Sequence, residues 1–195
     1  MVIAMFTDFG TRDAYVAQLK GAILSIHPTV SLVDLNHDVP AFDVRAAAYL
    51  LEASAHYFPA GTIFVAVVDP GVGTTRHPLL IVTKAGKYYL GPDNGLFTWV
   101  LEREGLQAAY VLTHTHYFRS QVSATFHGRD IFGPVAAHLA RGVAPEQVGV
   151  PIQELVRLSS IWPARMGETI LGEVIYLDHY GNIATNIPAA MLPTV

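Results

Sequence analysis

Over the first 140 residues, short unbroken apolar runs alternate with stretches of helical periodicity. Residues 2–7 are short and apolar and end in a polar Thr-Asp-Phe-Gly turn, which predicts a buried strand. Asp13 opens a helical stretch to about Ile26, with Tyr15, Leu19, Ala22, Ile23 and Ile26 on one face and Pro28 closing it. The next strand is expected at 30–35, and an Ala-rich helix at 43–57, stopped by Pro59. Residues 62–68 (TIFVAVV) are apolar at every position and rich in β-branched side chains, the pattern of a strand covered on both faces. Strands at 79–83 and 87–90 flank an Ala85-Gly86 turn. A helix after Gly95, a strand at 109–113 and a helix at 129–140 complete the series. Strand–helix alternation of this kind means an α/β domain, its largely parallel sheet sandwiched between helices. In such sheets ligands sit at the carboxyl ends of the strands.

The pattern breaks near Gly142. We divide the chain into an α/β domain (1–142), a linker (143–168) punctuated by Pro145, Pro151 and Pro163, and a β unit (169–195). That last unit reads TILGEVIYLD, a Tyr-Gly-Asn turn, then IATNI. It is too short to bury a core of its own, so a chain truncated within a second domain is expected.

Composition narrows the function. Twelve Lys and Arg against sixteen Asp and Glu give a net charge of −4, which argues against a nucleic-acid partner. Charged residues make up 14% of the chain, below the roughly 25% usual in soluble domains. With 51% apolar residues, this points to apolar surface covered in a subunit interface. The absence of cysteine excludes disulfides, Cys-based zinc sites, thiolate nucleophiles and iron–sulfur clusters. No apolar run approaches the ~20 residues of a membrane span, and the N-terminus lacks the marks of a signal peptide. A cytoplasmic globular protein without membrane contact is expected.

Candidate chemistry clusters at strand ends. Asp8 follows the first strand, Asp13 lies five positions on, and Asp69 follows the TIFVAVV strand. Carboxylates there converge on one crevice, although turn and helix-cap duties suit Asp equally. In the loop 69–76 (DPGVGTTR), two glycines let backbone approach a ligand, and Arg76 can fold back toward Asp69. Its Gly-x-Gly lacks the third glycine and following helix of a nucleotide fingerprint. Thr125 through Asp130 brings His127, Arg129 and Asp130 together ahead of a helix, where Asp130 also suits the helix dipole. His114-x-His116 places two rings on one strand face without an evident third ligand, so no metal is expected. Gly91 through Gly95 (GPDNG) reads as a turn. Asp178 through Asn182 reads as a hairpin turn with more polar and aromatic content than a turn requires.

Taken in order, five motifs resemble one family: Thr7-Asp8-Phe9-Gly10 with Asp13, Asp69 through Thr74 with Arg76, Gly91 through Leu96, Phe126 through Asp130, and Asp178 through Asn186. The chain resembles the S-adenosyl-L-methionine hydroxide adenosyltransferases (SAM hydrolases), relatives of fluorinase and chlorinase. The resemblance implies an N-terminal Rossmann-like domain followed by a C-terminal β-barrel, of which this chain holds the start. It also implies a homotrimer, with the ligand between the N-domain of one subunit and the C-domain of its neighbour. By the same resemblance Asp69, Arg76 and His127 are the water-activating residues, with either Asp69 or His127 as base. Asp8 holds the ribose hydroxyls, Asp13 and Asp178 face the methionine ammonium, and Asn182 contacts adenine between Phe42 and Tyr180. The expected reaction is hydrolysis of S-adenosylmethionine to adenosine and methionine, with no cofactor. An anionic Asp69 disfavours the halogenase alternative, whose halide pocket is uncharged. A non-catalytic S-adenosylmethionine or adenosine binder, a metal-dependent hydrolase using Asp8, Asp69 and His127, and a structural subunit are the other readings.

Overall fold

The continuous apolar runs become the centre of a seven-stranded sheet. A computed structural model describes residues 1–159 and 161–192 of the chain. Strand β1 (Val2–Thr7) pairs in parallel with β2 (Ser31–Asn36) on one side and β3 (Ile63–Val67) on the other, and β3 pairs in parallel with β5 (Tyr88–Pro92). Beyond β5 the pairing turns antiparallel, through β4 (Pro78–Thr83), β6 (Leu106–Leu112) and β7 (Gly149–Pro151), in the order β2-β1-β3-β5-β4-β6-β7. The sheet is therefore mixed, with its parallel half where the sequence is most continuously apolar.

Side chains alternate across a strand, so the two faces can be read separately. Ile3, Met5, Ile63 and Val65 pack with Leu19 and Ile23 of α1 (Tyr15–Ile26) and with Val135 of α4 (Gly133–Ala140). Gly133 makes that packing close, because a Cβ there would stand 2.7 Å from Leu19 Cδ1. The intervening Phe6, Phe64 and Tyr89 are equally buried, and Phe64 stacks on Tyr89 at 4.7 Å. Tyr89 in turn meets Phe97, at the start of α3 (Thr98–Glu104). Helix α2 (Val44–Ala55) buries Ala46, Ala47, Ala48 and Leu51. Its N-terminus is capped by Asp43, whose carboxylate accepts the Ala46 N–H at 2.9 Å.

The expected helix at 129–140 divides into two parts. Gly128–Phe132 forms a π-helical turn, and the α-helix begins only at Gly133. The expected linker also divides. Its first part contributes β7 to the main sheet, and the first compact unit runs Met1–Arg157. The second unit, Leu158–Val195, holds two antiparallel pairs: β8 (Ala164–Met166) with β9 (Thr169–Leu171), and β10 (Val174–Leu177) with β11 (Ile183–Thr185). Asn186 holds the second pair, accepting the Glu173 N–H at 2.8 Å and donating its own N–H to the Glu173 carbonyl at 3.1 Å. Among the described residues no helix is long and apolar enough to cross a membrane.

One polar cluster lies inside the first unit. Lys87 Nζ donates to Glu104 Oε1 at 2.9 Å and to the Ala55 carbonyl at 2.8 Å, while Tyr89 and Thr83 hydroxyls donate to the same carboxylate at 3.0 and 2.8 Å. The Lys87 and Glu104 side chains are each only 7% exposed. Burial and the neighbouring Glu104 charge push the Tyr89 phenol well above its ordinary pKa. Glu104→Ala strands a buried ammonium and two hydroxyls. It should cost about 3–5 kcal/mol of unfolding free energy, read by urea denaturation.

Candidate active site

The strand order reverses direction around β1, which puts a crevice at the carboxyl ends of β1 and β3. Thr7 and Val67 are register partners there, and the chain leaves each strand into an acid-bearing loop. Asp8, Phe42, Asp69 and His127 line one cavity of about 550 Å³ in the first unit. Asp8 is half-buried, and its Oδ2 accepts the Phe42 N–H at 2.9 Å. Burial raises its pKa, the Phe42 amide opposes that, and the charge of Asp69 adds to the rise. Phe42 adopts φ 62°, a left-handed conformation unusual for an aromatic residue, and the residue is 66% exposed.

Asp69 is 6% exposed, and Arg76 folds back over it. Arg76 Nε donates to both carboxylate oxygens, at 3.1 and 3.0 Å, and Nη2 donates to Oδ2. The loop between them is closed by Thr74, whose hydroxyl donates to the Gly71 carbonyl at 2.7 Å. Gly73 is required at its position. It has φ +77°, and a Cβ would stand 2.5 Å from the Ala124 carbonyl oxygen.

The same Nη2 lies 2.7 Å from His127 Nδ1. A guanidinium only donates, so Nδ1 is the acceptor and the ring proton sits on Nε2. Burial and the Arg76 charge lower the His127 pKa, which keeps the ring neutral. His127 is set in place by its neighbours. Asp130, fully buried, takes a two-point ion pair from Arg129 at 2.7 and 2.9 Å and the Ser123 N–H at 2.8 Å. Burial alone would raise the Asp130 pKa, but these partners bring it below the ordinary carboxylate value. Arg129 also lies over the Phe126 ring, 4.7 Å from its centroid.

Asp13 is exposed and does not line the cavity. Asp178, Tyr180 and Asn182 belong to the second unit, in one turn. There Asp178 Oδ1 accepts the N–H groups of Tyr180 and Asn182 at 2.9 and 2.8 Å, and Oδ2 accepts the Asn182 amide at 2.7 Å. The Asn182 amide is the main cause of a lowered Asp178 pKa. His114 and His116 flank and enter a 3-10 turn (Thr115–Tyr117) rather than a strand, and His114 Nδ1 is taken by the Gln147 carbonyl at 2.6 Å. Among the described residues no group of three His, Cys, Asp or Glu side chains is arranged to hold a metal.

Three wall residues escape a reading by pattern. Phe9, Tyr15 and Phe126 meet edge to face, with centroids 5.4 Å (Phe9–Phe126), 5.5 Å (Tyr15–Phe126) and 6.4 Å (Phe9–Tyr15) apart, and all three line the cavity. Tyr15 fits the apolar stripe of α1 but stands at its first turn, facing the crevice instead of the core. Its nearness in sequence to Asp8 was the available signal.

This fold and crevice define an α/β protein with an acid-bearing, aromatic-walled cavity at the carboxyl ends of its parallel strands. The profile of the SAM hydroxide adenosyltransferase N-terminal domain matches residues 3–149, and the chain belongs to that family. It is 41% identical to the (R)-S-adenosyl-L-methionine hydrolase of Thermus thermophilus, covering 95% of this chain and 74% of that protein. It is 36% identical to the enzyme of the same name from Methanocaldococcus jannaschii (95% and 66% covered) and 34% identical to a fluorinase from Actinoplanes sp. (95% and 71%). The crystal structure of an uncharacterized conserved protein from Thermotoga maritima superposes with a TM-score of 0.92 at 38% identity, covering 98% of this chain and 73% of that one.

The His127 assignment is open to direct measurement. In ¹⁵N-detected NMR, His127 should show the Nε2–H tautomer and titrate below an ordinary histidine. Arg76→Met removes the cation and leaves Asp69 uncompensated, so the His127 pKa should rise.

Proposed function

We propose that this chain hydrolyses S-adenosyl-L-methionine to adenosine and L-methionine. The observation that carries the reading is the Asp69–Arg76–His127 array, whose Asp69 and His127 line a cavity that Asp8 lines as well. The substrate is a sulfonium. Water attacks C5′ in line with the C5′–S bond, the new C–O bond forms, and the C–S electron pair leaves on sulfur as the neutral thioether of methionine. Charge is dispersed in this step, so a cavity of fixed dipoles shielded from solvent favours the transition state.

The water must lose a proton. With Nδ1 occupied by Arg76, His127 offers only its Nε2–H, which suits it to orient an oxygen rather than to take a proton. Asp69 keeps lone pairs beyond those engaged by Arg76, and this supports Asp69 as the acceptor. The same anionic group disfavours halide as the nucleophile. Asp8 accepts the two ribose hydroxyls, a two-point task suited to a carboxylate, and Phe42 forms an aromatic wall. The reaction balances with water alone, so the reading calls for no cofactor or metal.

Further parts of the reading rest on the family resemblance. They are a cytoplasmic homotrimer, an ammonium site at Asp13 and Asp178, and an adenine site at Tyr180 and Asn182 of a neighbouring subunit.

The test is to incubate the protein with S-adenosylmethionine, with and without chloride or fluoride, and to identify the nucleoside by chromatography. Adenosine should be released in both cases. Asp69→Asn, Arg76→Met and His127→Ala should each lower kcat by about 100-fold or more. Binding without adenosine release, a 5′-halogenated main product, or wild-type rates in all three variants would each overturn the reading.

A further inference from the structure

The turn that carries Asp8 is fastened from below by a residue outside the cavity lining. His37 lies just beyond β2, is 6% exposed, and stands between a carboxylate and a hydroxyl. Its Nε2 is 3.0 Å from Asp34 Oδ1, and its Nδ1 is 2.8 Å from Thr7 Oγ1. Asp34 is ionised: burial alone would raise its pKa, but hydrogen bonds from Lys20 and His37 bring it down. Lys20 Nζ holds the other carboxylate oxygen at 2.6 Å. An ionised carboxylate only accepts, so His37 donates from Nε2. In the neutral ring that leaves Nδ1 to accept the Thr7 O–H.

That direction has a consequence for Thr7. Its hydroxyl hydrogen is committed to His37, so its oxygen is left to accept the Phe9 N–H at 3.3 Å. Thr7 is fully buried, and in such surroundings a hydrogen bond is stronger than in water. The His37 carbonyl accepts the Gly10 N–H at 2.8 Å. Residues 7 and 10, on either side of Asp8, are thus tied directly to His37, and residue 9 is tied to Thr7. Asp8 itself is tied to Phe42, in the same β2–α2 connection.

We infer that His37, acting through Thr7, is a positioning residue that aims the Asp8 carboxylate for two-point capture of a ribose diol. This rests on the proposed role of Asp8 and goes beyond it, by assigning the specificity for vicinal hydroxyls to an Asp34–His37–Thr7 relay that runs from the surface inward to the buried His37 and Thr7. Such a role differs from simple support of the strand end. Loss of the relay should penalise ligands in proportion to the hydroxyls that they present, not all ligands alike.

The experiment measures calorimetric affinity of the full chain for adenosine and for 2′,3′-dideoxyadenosine, with melting temperatures taken alongside. Wild type should prefer adenosine. Thr7→Val, which keeps the shape and removes the hydroxyl, and His37→Leu should each weaken adenosine about tenfold and leave the dideoxynucleoside unchanged. Thr7→Ser, which restores the hydroxyl, should recover wild-type discrimination. Equal weakening of both ligands, undiminished adenosine affinity in the folded variants, or collapse of the fold in both Thr7→Val and His37→Leu would overturn the inference. A wild-type protein that binds both ligands equally would instead refute the ribose role of Asp8, and this inference with it.

Discussion

Asp69 is a carboxylate that cannot be left alone. At 6% exposure it has lost most of its hydration, a loss of several kcal/mol for an isolated ion. Arg76 offsets this by donating to both oxygens, and only a planar guanidinium can do that while sending a further N–H to a second acceptor. The second acceptor is His127. One electrostatic requirement therefore fixes three things at once: the charge of Asp69, the rotamer of Arg76, and the tautomer of a histidine 51 residues further along the chain. A lysine here could neutralise the carboxylate but would not relay direction to the ring.

That arrangement depends on backbone held far more rigidly than loops usually are. Parallel strands bring Thr7 and Val67 side by side, so the loops that follow them start from a common origin. Gly73 lets the 69–76 loop press against Ala124, and Asp130 gathers the 119–130 segment through Ser123 and Arg129. The π-helical turn at Gly128–Phe132 inserts an extra residue where the segment enters α4, a device found at functional sites. Each fixture acts on loops that meet in one crevice.

How much of this is legible in sequence follows from the range of the forces involved. Strands β1 and β3 are visible because burial on both faces writes an unbroken apolar run, as in Ile63–Val67. The strand-end acids are visible because parallel topology sends them to one side. The 143–168 segment misleads: β7 is three residues long and pairs with the distant β6, so its sequence carries no periodicity to detect. The π turn is invisible for a similar reason, since its sequence differs little from that of a helix start. Tyr15 obeys a helical stripe whether that stripe faces a core or a cavity. His37 has no motif at all, because its partners Thr7 and Asp34 become neighbours only when β1 and β2 pair.

The pairing of charges separates the acids matched to a cation from Asp8. In a chain with 14% charged residues, the buried acids of the first unit are each matched to a cation: Asp69 to Arg76, Asp130 to Arg129, Glu104 to Lys87. Asp8 is different. The groups that stabilise its charge are backbone N–H donors, its own and that of Phe42, with no cation among them. Main-chain amides fix where the carboxylate points without neutralising it. Phe42, whose amide reaches it, holds a left-handed backbone that costs of order 1–3 kcal/mol, and at 66% exposure the residue gains little burial in return. Strain maintained to orient an uncompensated carboxylate at a cavity wall suits the site proposed for neutral hydroxyls on a cationic ligand. In that proposal the hydroxyls would complete its hydrogen bonds, and the ligand's positive charge would supply what the protein has withheld.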